Sequence, residues 1–218
     1  MNVIGNYLTN LIPKLIVLPF LIFSLSMHEF AHGYVAYKLG DRTAKNMGRL
    51  TLNPLAHLDF VGTLAMIFFS FGWAKAVPVN PYYFKNPKRG MAITALAGPV
   101  SNLLMAFIGT VAYVLYWRFT KVYSTHVVYA FLYFIQVNLV LMAFNLIPFP
   151  PLDGSKLVYA VLSDKAYFKL MQYERFGMIA LILLSYFGFF SNYLANAVSS
   201  VSSTMINFVL KIFSLIGV

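Results

Sequence analysis

The sequence predicts an all-α polytopic membrane protein, with about five to six transmembrane helices and a short re-entrant or β-strand region between the first two core spans. The chain has 218 residues, of which 60% are hydrophobic and 10% charged, and its mean hydropathy is +0.74. A soluble domain with this much apolar surface would aggregate. The polar stretches are too short to build a second core, so we expect one membrane-embedded domain over residues 1–218.

Apolar segments of about 20 residues are long enough to cross a bilayer as helices. The segments that meet or approach this length are 15–39, 91–117, 127–147, 176–190 and 198–218. A further apolar piece, residues 57–72, is shorter, and we predict that it is re-entrant. We expect a functional core over about residues 11–165, followed by C-terminal transmembrane helices over about residues 173–218.

The first apolar segment contains an HExxH motif, His28-Glu29-Phe30-Ala31-His32. On a helix the two histidines lie one turn apart on the same face and can bind one metal ion, with Glu29 beside them. Neutral imidazoles suit Zn²⁺, and a neighbouring glutamate suits a general base that takes a proton from water. Three ionisable groups in an apolar span are costly without such a function, which disfavours an ordinary polar helix face.

A zinc site with two histidines needs a further protein ligand, usually a carboxylate. The only glutamate besides Glu29 is Glu174. The aspartates are Asp41, Asp59, Asp153 and Asp164. Asp153 follows the stretch NLIPFPPL, whose prolines end the preceding span, and precedes Gly154, which permits a close backbone approach. Such rigid placement suits a ligand, so we predict Asp153 as the third ligand of one Zn²⁺.

The charge distribution predicts the orientation of the chain. If residues 57–72 are re-entrant, most of the basic residues fall on one side of the membrane: Lys38, Arg42, Lys45, Arg49, Lys75, Lys85, Lys88, Arg89, Lys156, Lys165, Lys169 and Arg175. By the positive-inside rule this side is cytoplasmic. The same topology brings Asp153 to the membrane face where the first span ends. We therefore expect a multi-pass plasma-membrane protein with its site towards the cytoplasm.

Composition also limits the partners. The net charge of +10 is spread over short loops between apolar segments, which indicates anionic lipid headgroups and cytoplasmic retention rather than nucleic acid. The absence of cysteine excludes disulfides, thiolate ligands and cysteine nucleophiles.

The combination of motifs resembles the site-2 proteases, the intramembrane zinc metalloproteases of peptidase family M50. The resemblance rests on HEFAH (28–32), AGPVSN (97–102) and NLIPFPPLDG (145–154). The segments GRLTLNP (48–54) and GWAKAVPVNP (72–81) are similar to the compact prokaryotic subgroup without PDZ or CBS domains. The resemblance covers about residues 20–165.

This resemblance implies that His28, His32 and Asp153 bind zinc and that Glu29 is the general base or acid. It implies that Asn102 lies beside the site, where its amide would hydrogen-bond a substrate carbonyl or the oxyanion. The expected activity is hydrolysis of peptide bonds within or near transmembrane segments of other membrane proteins. Because the chain has no regulatory domain, we also expect control by a membrane partner.

Alternatives stay open at this level. Asn102 is equally well interpreted as a packing residue that hydrogen-bonds between helices. A membrane metal transporter would use the same three ligands, although no internal repeat typical of transporters is present. A non-catalytic protein that binds transmembrane helices would not need Glu29. The strand-like pieces 49–52 and 76–79 are predicted to add an unwound substrate as an extra strand.

Overall fold

The protein is built from helices joined by short, irregular connections. The structure is a computed structural model that describes residues 3–69, 72–120, 124–163, 166, 169 and 174–215. Two 3-10 turns, Pro54–Ala56 and Pro81–Tyr83, lie in the connections. The main helices are α1 (Val3–Lys38), α2 (Thr43–Asn46), α3 (Phe60–Phe69), α4 (Pro87–Phe119), α5 (Thr125–Asn145), α6 (Asp153–Val161), α7 (Glu174–Tyr186) and α8 (Ser191–Leu215). The prediction of an all-helical protein is confirmed.

Four of the described helices are long and apolar enough to cross a membrane. They are Leu15–Lys38 within α1, and the whole of α4, α5 and α8. The segment expected to cross at residues 176–190 contains the described helix α7, whose 13 residues span about 20 Å, and its crossing stays a prediction. Gly188, with a φ of +71°, adopts the left-handed conformation that commonly follows the end of a helix.

The last helix begins at Ser191, earlier than the expected boundary at residue 198. Asn192 and Asn196 make this stretch look too polar for a span, but both side chains lie on the exposed face of α8. The opposite face, which includes Leu194 and Val201, packs on the bundle core. The first turns of α8 therefore pack on the bundle through their apolar face, although their exposed face is polar.

The bundle core lies where α4, α5 and α8 meet, and α1 packs on α4 and α5 beside it. The most extensive packing joins α4 to α5 and to α1, and α8 packs across α4 and α5. The buried core residues are Ala106, Ile135, Leu139, Met142, Ala143 and Met205. Helix α4 begins where the Asn86 side chain accepts a hydrogen bond from the Arg89 N–H, with Pro87 at the first helical position.

The connection between α1 and α4 contains the short apolar helix α3. Its 10 residues span about 15 Å, half of the ~30 Å hydrocarbon thickness of a bilayer. The Asp59 carboxylate accepts a hydrogen bond from the Gly62 N–H and so satisfies one free donor of the first turn. The re-entrant path of residues 57–72 stays a prediction.

The predicted strands do not form in the part of the chain that the structure describes. One isolated antiparallel bridge joins Leu58 to Ala74, and residues 75–80 are in neither a helix nor a sheet. Side chains take the place of a partner strand. Arg49 Nη2 donates to the Lys75 and Ala76 carbonyls, at 2.7 and 3.3 Å, so these groups are satisfied without a sheet.

A buried aspartate connects this irregular segment to the end of α1. Asp41 is fully buried, and its Oδ1 accepts a hydrogen bond from the Thr43 N–H at 2.9 Å. Its Oδ2 accepts from the Asn80 N–H at 2.7 Å. Gly40, with a φ of +112°, makes the turn that brings Asp41 under the helix end.

Asp41→Ala should therefore destabilise the fold, because the N–H groups of Thr43 and Asn80 would lose a charged acceptor. We expect a loss of about 2 kcal/mol or more, visible as a lower melting temperature in detergent. The matched control is Asp59→Ala, which removes a half-buried carboxylate from a helix start and should cost about 1 kcal/mol. Equal melting temperatures for the Asp41 variant and the native protein would contradict this account.

Candidate metal centre

Two histidines from α1 and one aspartate from α6 meet at a single buried point. The Nε2 atoms of His28 and His32 are 2.9 Å apart, and each lies 3.1 Å from Asp153 Oδ2. All three residues are buried. The helical spacing of the HExxH motif accounts for the first distance. The two distances to Asp153 Oδ2 require that the start of α6 lies against the last turns of α1.

Asp153 reaches this point because α6 begins against the end of α5. A Cβ atom on Gly154 would lie 2.3 Å from the Leu146 carbonyl oxygen, so only glycine permits the approach. The expectation that Gly154 allows close backbone contact is confirmed. Lys156, one turn further on, places its Nζ 3.8 Å from Asp153 Oδ1.

Both imidazoles are held by their Nδ1 atoms. His28 Nδ1 lies 2.6 Å from Asn102 Oδ1, and His32 Nδ1 lies 2.7 Å from the Thr94 carbonyl oxygen. An amide or carbonyl oxygen can only accept, so each Nδ1 carries the proton and donates it. Each Nε2 therefore directs a lone pair at Asp153 and at the other ring.

This donor set fits a zinc ion. Two lone pairs only 2.9 Å apart repel each other unless a cation lies between them. Donors of tetrahedral zinc lie roughly 3.3 Å apart, so these three atoms need to separate by only a few tenths of an ångström. Asp153 is buried, and a buried carboxylate is costly without a neighbouring positive charge, so this residue also suits a bound cation.

Glu29 lies beside the three donors and has a fixed orientation. Its Oε2 accepts a hydrogen bond from the Val77 N–H at 2.7 Å. Its Oε1 has no hydrogen-bond partner among the described residues. The side chain is half-buried and lines a cavity of about 500 Å³, together with His28, His32 and Asp153. A carboxylate in this position can exchange a proton with a molecule in the cavity.

Asn102 lies behind His28, on the side away from the cavity. It is fully buried; its Oδ1 faces His28 and its Nδ2 donates to the Ser24 carbonyl oxygen at 3.3 Å and to Asn138 Oδ1 at 3.0 Å. The amide of Asn102 therefore has no donor left for a substrate oxygen. This geometry favours the interpretation that Asn102 hydrogen-bonds between helices.

Sequence reasoning missed three contributors to this site. Val77 and Thr94 act through backbone atoms, which leave no signal in the side-chain pattern. Asn138 left a weak signal, because it is an amide inside the apolar segment 127–147, where polar residues are rare.

A membrane-embedded helical protein with a His–His–Asp donor set and an adjacent glutamate belongs to the class of membrane metallopeptidases. The profile of peptidase family M50 matches residues 118–188. The chain is 44% identical over 182 residues to "Putative zinc metalloprotease YwhC" of Bacillus subtilis, which covers 82% of each chain. The chain belongs to peptidase family M50, the site-2 protease family.

More distant relatives also carry zinc metalloprotease names. "Putative zinc metalloprotease Rip2" of Mycolicibacterium smegmatis is 29% identical over 75% of this chain, which spans 63% of that relative. "Zinc metalloprotease MJ0392" of Methanocaldococcus jannaschii is 31% identical over 66% of this chain and 34% of its own length. No solved structure matches the chain significantly.

Membership of this family confirms the resemblance seen in the sequence and the class of enzyme, a membrane-embedded zinc metalloprotease. It does not favour the two alternatives, a metal transporter and a non-catalytic helix-binding protein. The cofactor prediction is also confirmed, because the family uses zinc and the donor set fits this ion.

Gly98→Ala should weaken zinc binding at the metal centre. A Cβ atom at Gly98 would lie 2.5 Å from His28 Cε1, His28 Nε2 and His32 Nε2, so the rings would be pushed out of position. We expect zinc affinity to fall about tenfold or more, measured by competition with a chelator. The control is Gly109→Ala on the same helix, where the added Cβ meets the side chains of Phe134 and Ile135 at 2.9 and 3.1 Å and no residue of the metal centre. Equal zinc affinity in both variants would refute the placement of Gly98.

Proposed function

We propose that this chain hydrolyses peptide bonds in or near the transmembrane segments of other membrane proteins, at the site formed by α1 and α6. His28, His32 and Asp153 are the zinc ligands, and Glu29 is the general base and acid. The single observation that carries these assignments is the convergence of the three ligand atoms within 3.1 Å of one another, beside the Glu29 carboxylate.

The bound Zn²⁺ supplies a Lewis acid that polarises the scissile carbonyl and makes a water molecule more acidic. Glu29 takes a proton from the attacking water through Oε1, the oxygen that the Val77 N–H does not hold. The same carboxylate then delivers a proton to the departing amide nitrogen. Val77 keeps Glu29 in one orientation during both transfers.

Asn102 is assigned a positioning role in place of direct contact with substrate. Its Oδ1 accepts the His28 Nδ1 proton, which keeps the His28 Nε2 free to bind the metal. The oxyanion role implied by the family resemblance would need an amide N–H directed at the cavity, and both amide protons of Asn102 have other acceptors.

Substrate access is proposed from the apolar side of the site. A second cavity of about 530 Å³, lined almost entirely by apolar side chains of α1, α3, α5 and α8, shares Leu25, Leu141 and Phe144 with the cavity at the metal centre. Such a surface suits an apolar membrane segment. Residues 76–79 border the metal-centre cavity, and we retain the proposal that an unwound substrate pairs with this backbone.

We further propose a single protease domain over residues 1–218 of this chain, with its catalytic core at about residues 11–165. In this proposal α3 is re-entrant, and the metal centre lies towards the cytoplasmic face of the plasma membrane. The length of α3 and the one-sided basic residues support this topology. We also propose that a membrane partner regulates the protein.

Glu29→Gln should abolish cleavage while zinc stays bound. The amide oxygen can still accept the Val77 N–H, so orientation is kept, but an amide cannot take up the proton. We expect cleavage of a transmembrane model substrate to fall by about 10²- to 10⁴-fold or more. The measurement combines zinc per chain, by elemental analysis, with cleavage in liposomes.

Asp153→Ala is the matched comparison, and it should lose both zinc and cleavage because it removes a ligand and leaves the lysine Lys156 near the site. Cleavage at the native rate in Glu29→Gln would overturn the role of Glu29. Native zinc content in Asp153→Ala would overturn the ligand assignment.

The topology can be tested with single cysteines, because the native chain has none. Leu55 and Tyr82 flank α3 and are 76% and 83% exposed, and Phe119 at the far end of α4 is 67% exposed. We expect a membrane-impermeant thiol reagent to label Leu55→Cys and Tyr82→Cys from one face, and Phe119→Cys from the other. Labelling of Leu55→Cys and Tyr82→Cys from opposite faces would show that α3 crosses the membrane.

A further inference from the structure

We propose that Asn138 is a positioning residue for the metal centre: acting through Asn102, it selects the tautomer of His28 that can bind zinc. Asn138 lies on α5 and is fully buried, outside the cavity at the metal centre. The inference rests on the proposed function, because it assigns Asn138 a role only if His28 is a ligand. It names a residue that the HExxH, AGPVSN and NLIPFPPLDG motifs do not include.

The orientation of the Asn102 amide is the first step. If the amide turned over, its Nδ2 would face His28, and His28 Nδ1 would have to accept. The proton would then move to His28 Nε2 and point at the metal position, which excludes ligation. The observed orientation, with Oδ1 at 2.6 Å from His28 Nδ1, is the one that zinc requires.

Asn138 holds Asn102 in that orientation. Asn138 Oδ1 lies 3.0 Å from Asn102 Nδ2, and an oxygen there accepts only from an N–H. The Ser24 carbonyl oxygen accepts from the same Nδ2 at a longer 3.3 Å. A reversed Asn102 amide would place its oxygen against both of these acceptors.

Asn138 is fixed in turn by a group that cannot reverse. Its Nδ2 donates to the Phe134 carbonyl oxygen at 2.9 Å, one turn earlier on α5. A backbone carbonyl oxygen can only accept, so Oδ1 of Asn138 must face Asn102. The direction of every hydrogen bond from Phe134 to His28 is therefore determined, across α5, α4 and α1.

His32 provides an internal comparison. Its Nδ1 faces the Thr94 carbonyl oxygen directly, so its tautomer needs no supporting side chain. The tautomer of His28, by contrast, depends on two side-chain amides, in each of which the oxygen and nitrogen could exchange places. The observed chain of donors and acceptors has one direction, and this direction sets the His28 tautomer, which hydrogen bonding between helices does not by itself require.

The first test is the ¹⁵N spectrum of histidine-labelled, metal-free native protein, which distinguishes a protonated from an unprotonated ring nitrogen. We expect His28 to carry its proton on Nδ1 without metal. An unprotonated Nδ1 with the proton on Nε2, or an equal mixture of the two tautomers, would overturn the proposal. This measurement does not depend on the folding of any variant.

The second test compares zinc affinity, measured by chelator competition, in two variants of similar size. Asn138→Leu removes the acceptor, and we expect zinc binding to weaken about 10- to 100-fold and His28 to show mixed tautomers. Asn138→Asp should restore the native zinc affinity and the single His28 tautomer. A buried, protonated carboxyl at this position accepts from the Asn102 amide and donates to the Phe134 carbonyl oxygen in the same geometry. Thr110→Val, which removes an equally buried hydroxyl of α4 outside this chain of hydrogen bonds, should bind zinc as the native protein does.

Unchanged zinc affinity and tautomer in Asn138→Leu would overturn this inference and leave the proposed function standing. An equal loss in the Asp and Leu variants would also overturn it, since packing alone would then explain both. A native protein that binds no zinc would overturn the proposed function and, with it, the role of Asn138.

Discussion

The burial of the polar side chains of His28, His32 and Asp153 away from water is the constraint on which the rest of the structure depends. Inside a membrane-embedded bundle, each polar atom needs a partner within the protein. His28 and His32 meet this need by donating their Nδ1 protons to acceptors on α4 and by directing Nε2 towards Asp153. Helices α1, α4 and α6 must therefore meet at one point. Gly98 leaves the space that the two rings occupy.

The irregular segment 72–80 follows the same rule by a different route. A sheet would have satisfied its backbone groups with a partner strand, but here the side chains of Glu29, Asp41 and Arg49 bind them instead. Glu29 has a double role in this arrangement: it binds the Val77 N–H, and this bond orients the carboxylate towards the cavity. The wall of the cavity and the proposed general base are thus held by one hydrogen bond.

Two kinds of intramembrane polar residue differ in how the sequence reveals them. The proposed metal ligands stand in recognisable local patterns, HExxH and the proline-flanked Asp153. Those that support them, such as Asn102 and Asn138, are single amides whose partners lie on other helices. Their cost in an apolar span marks them as functional, but only the directions of their hydrogen bonds show what the function is.

The sequence by itself determined the membrane class and the HExxH pair, and it predicted Asp153 as the third ligand, because each rests on local chemistry: hydropathy, the helical repeat, or proline and glycine around Asp153. The family membership confirmed by the comparisons followed from these same motifs. Tertiary structure alone decided the rest. The missing strands, the contact between Glu29 and Val77, the place of Asn102 behind His28 and the start of α8 at Ser191 all depend on segments distant in sequence. A local pattern cannot specify which side chain will satisfy a distant backbone group, or which face of a helix will be buried.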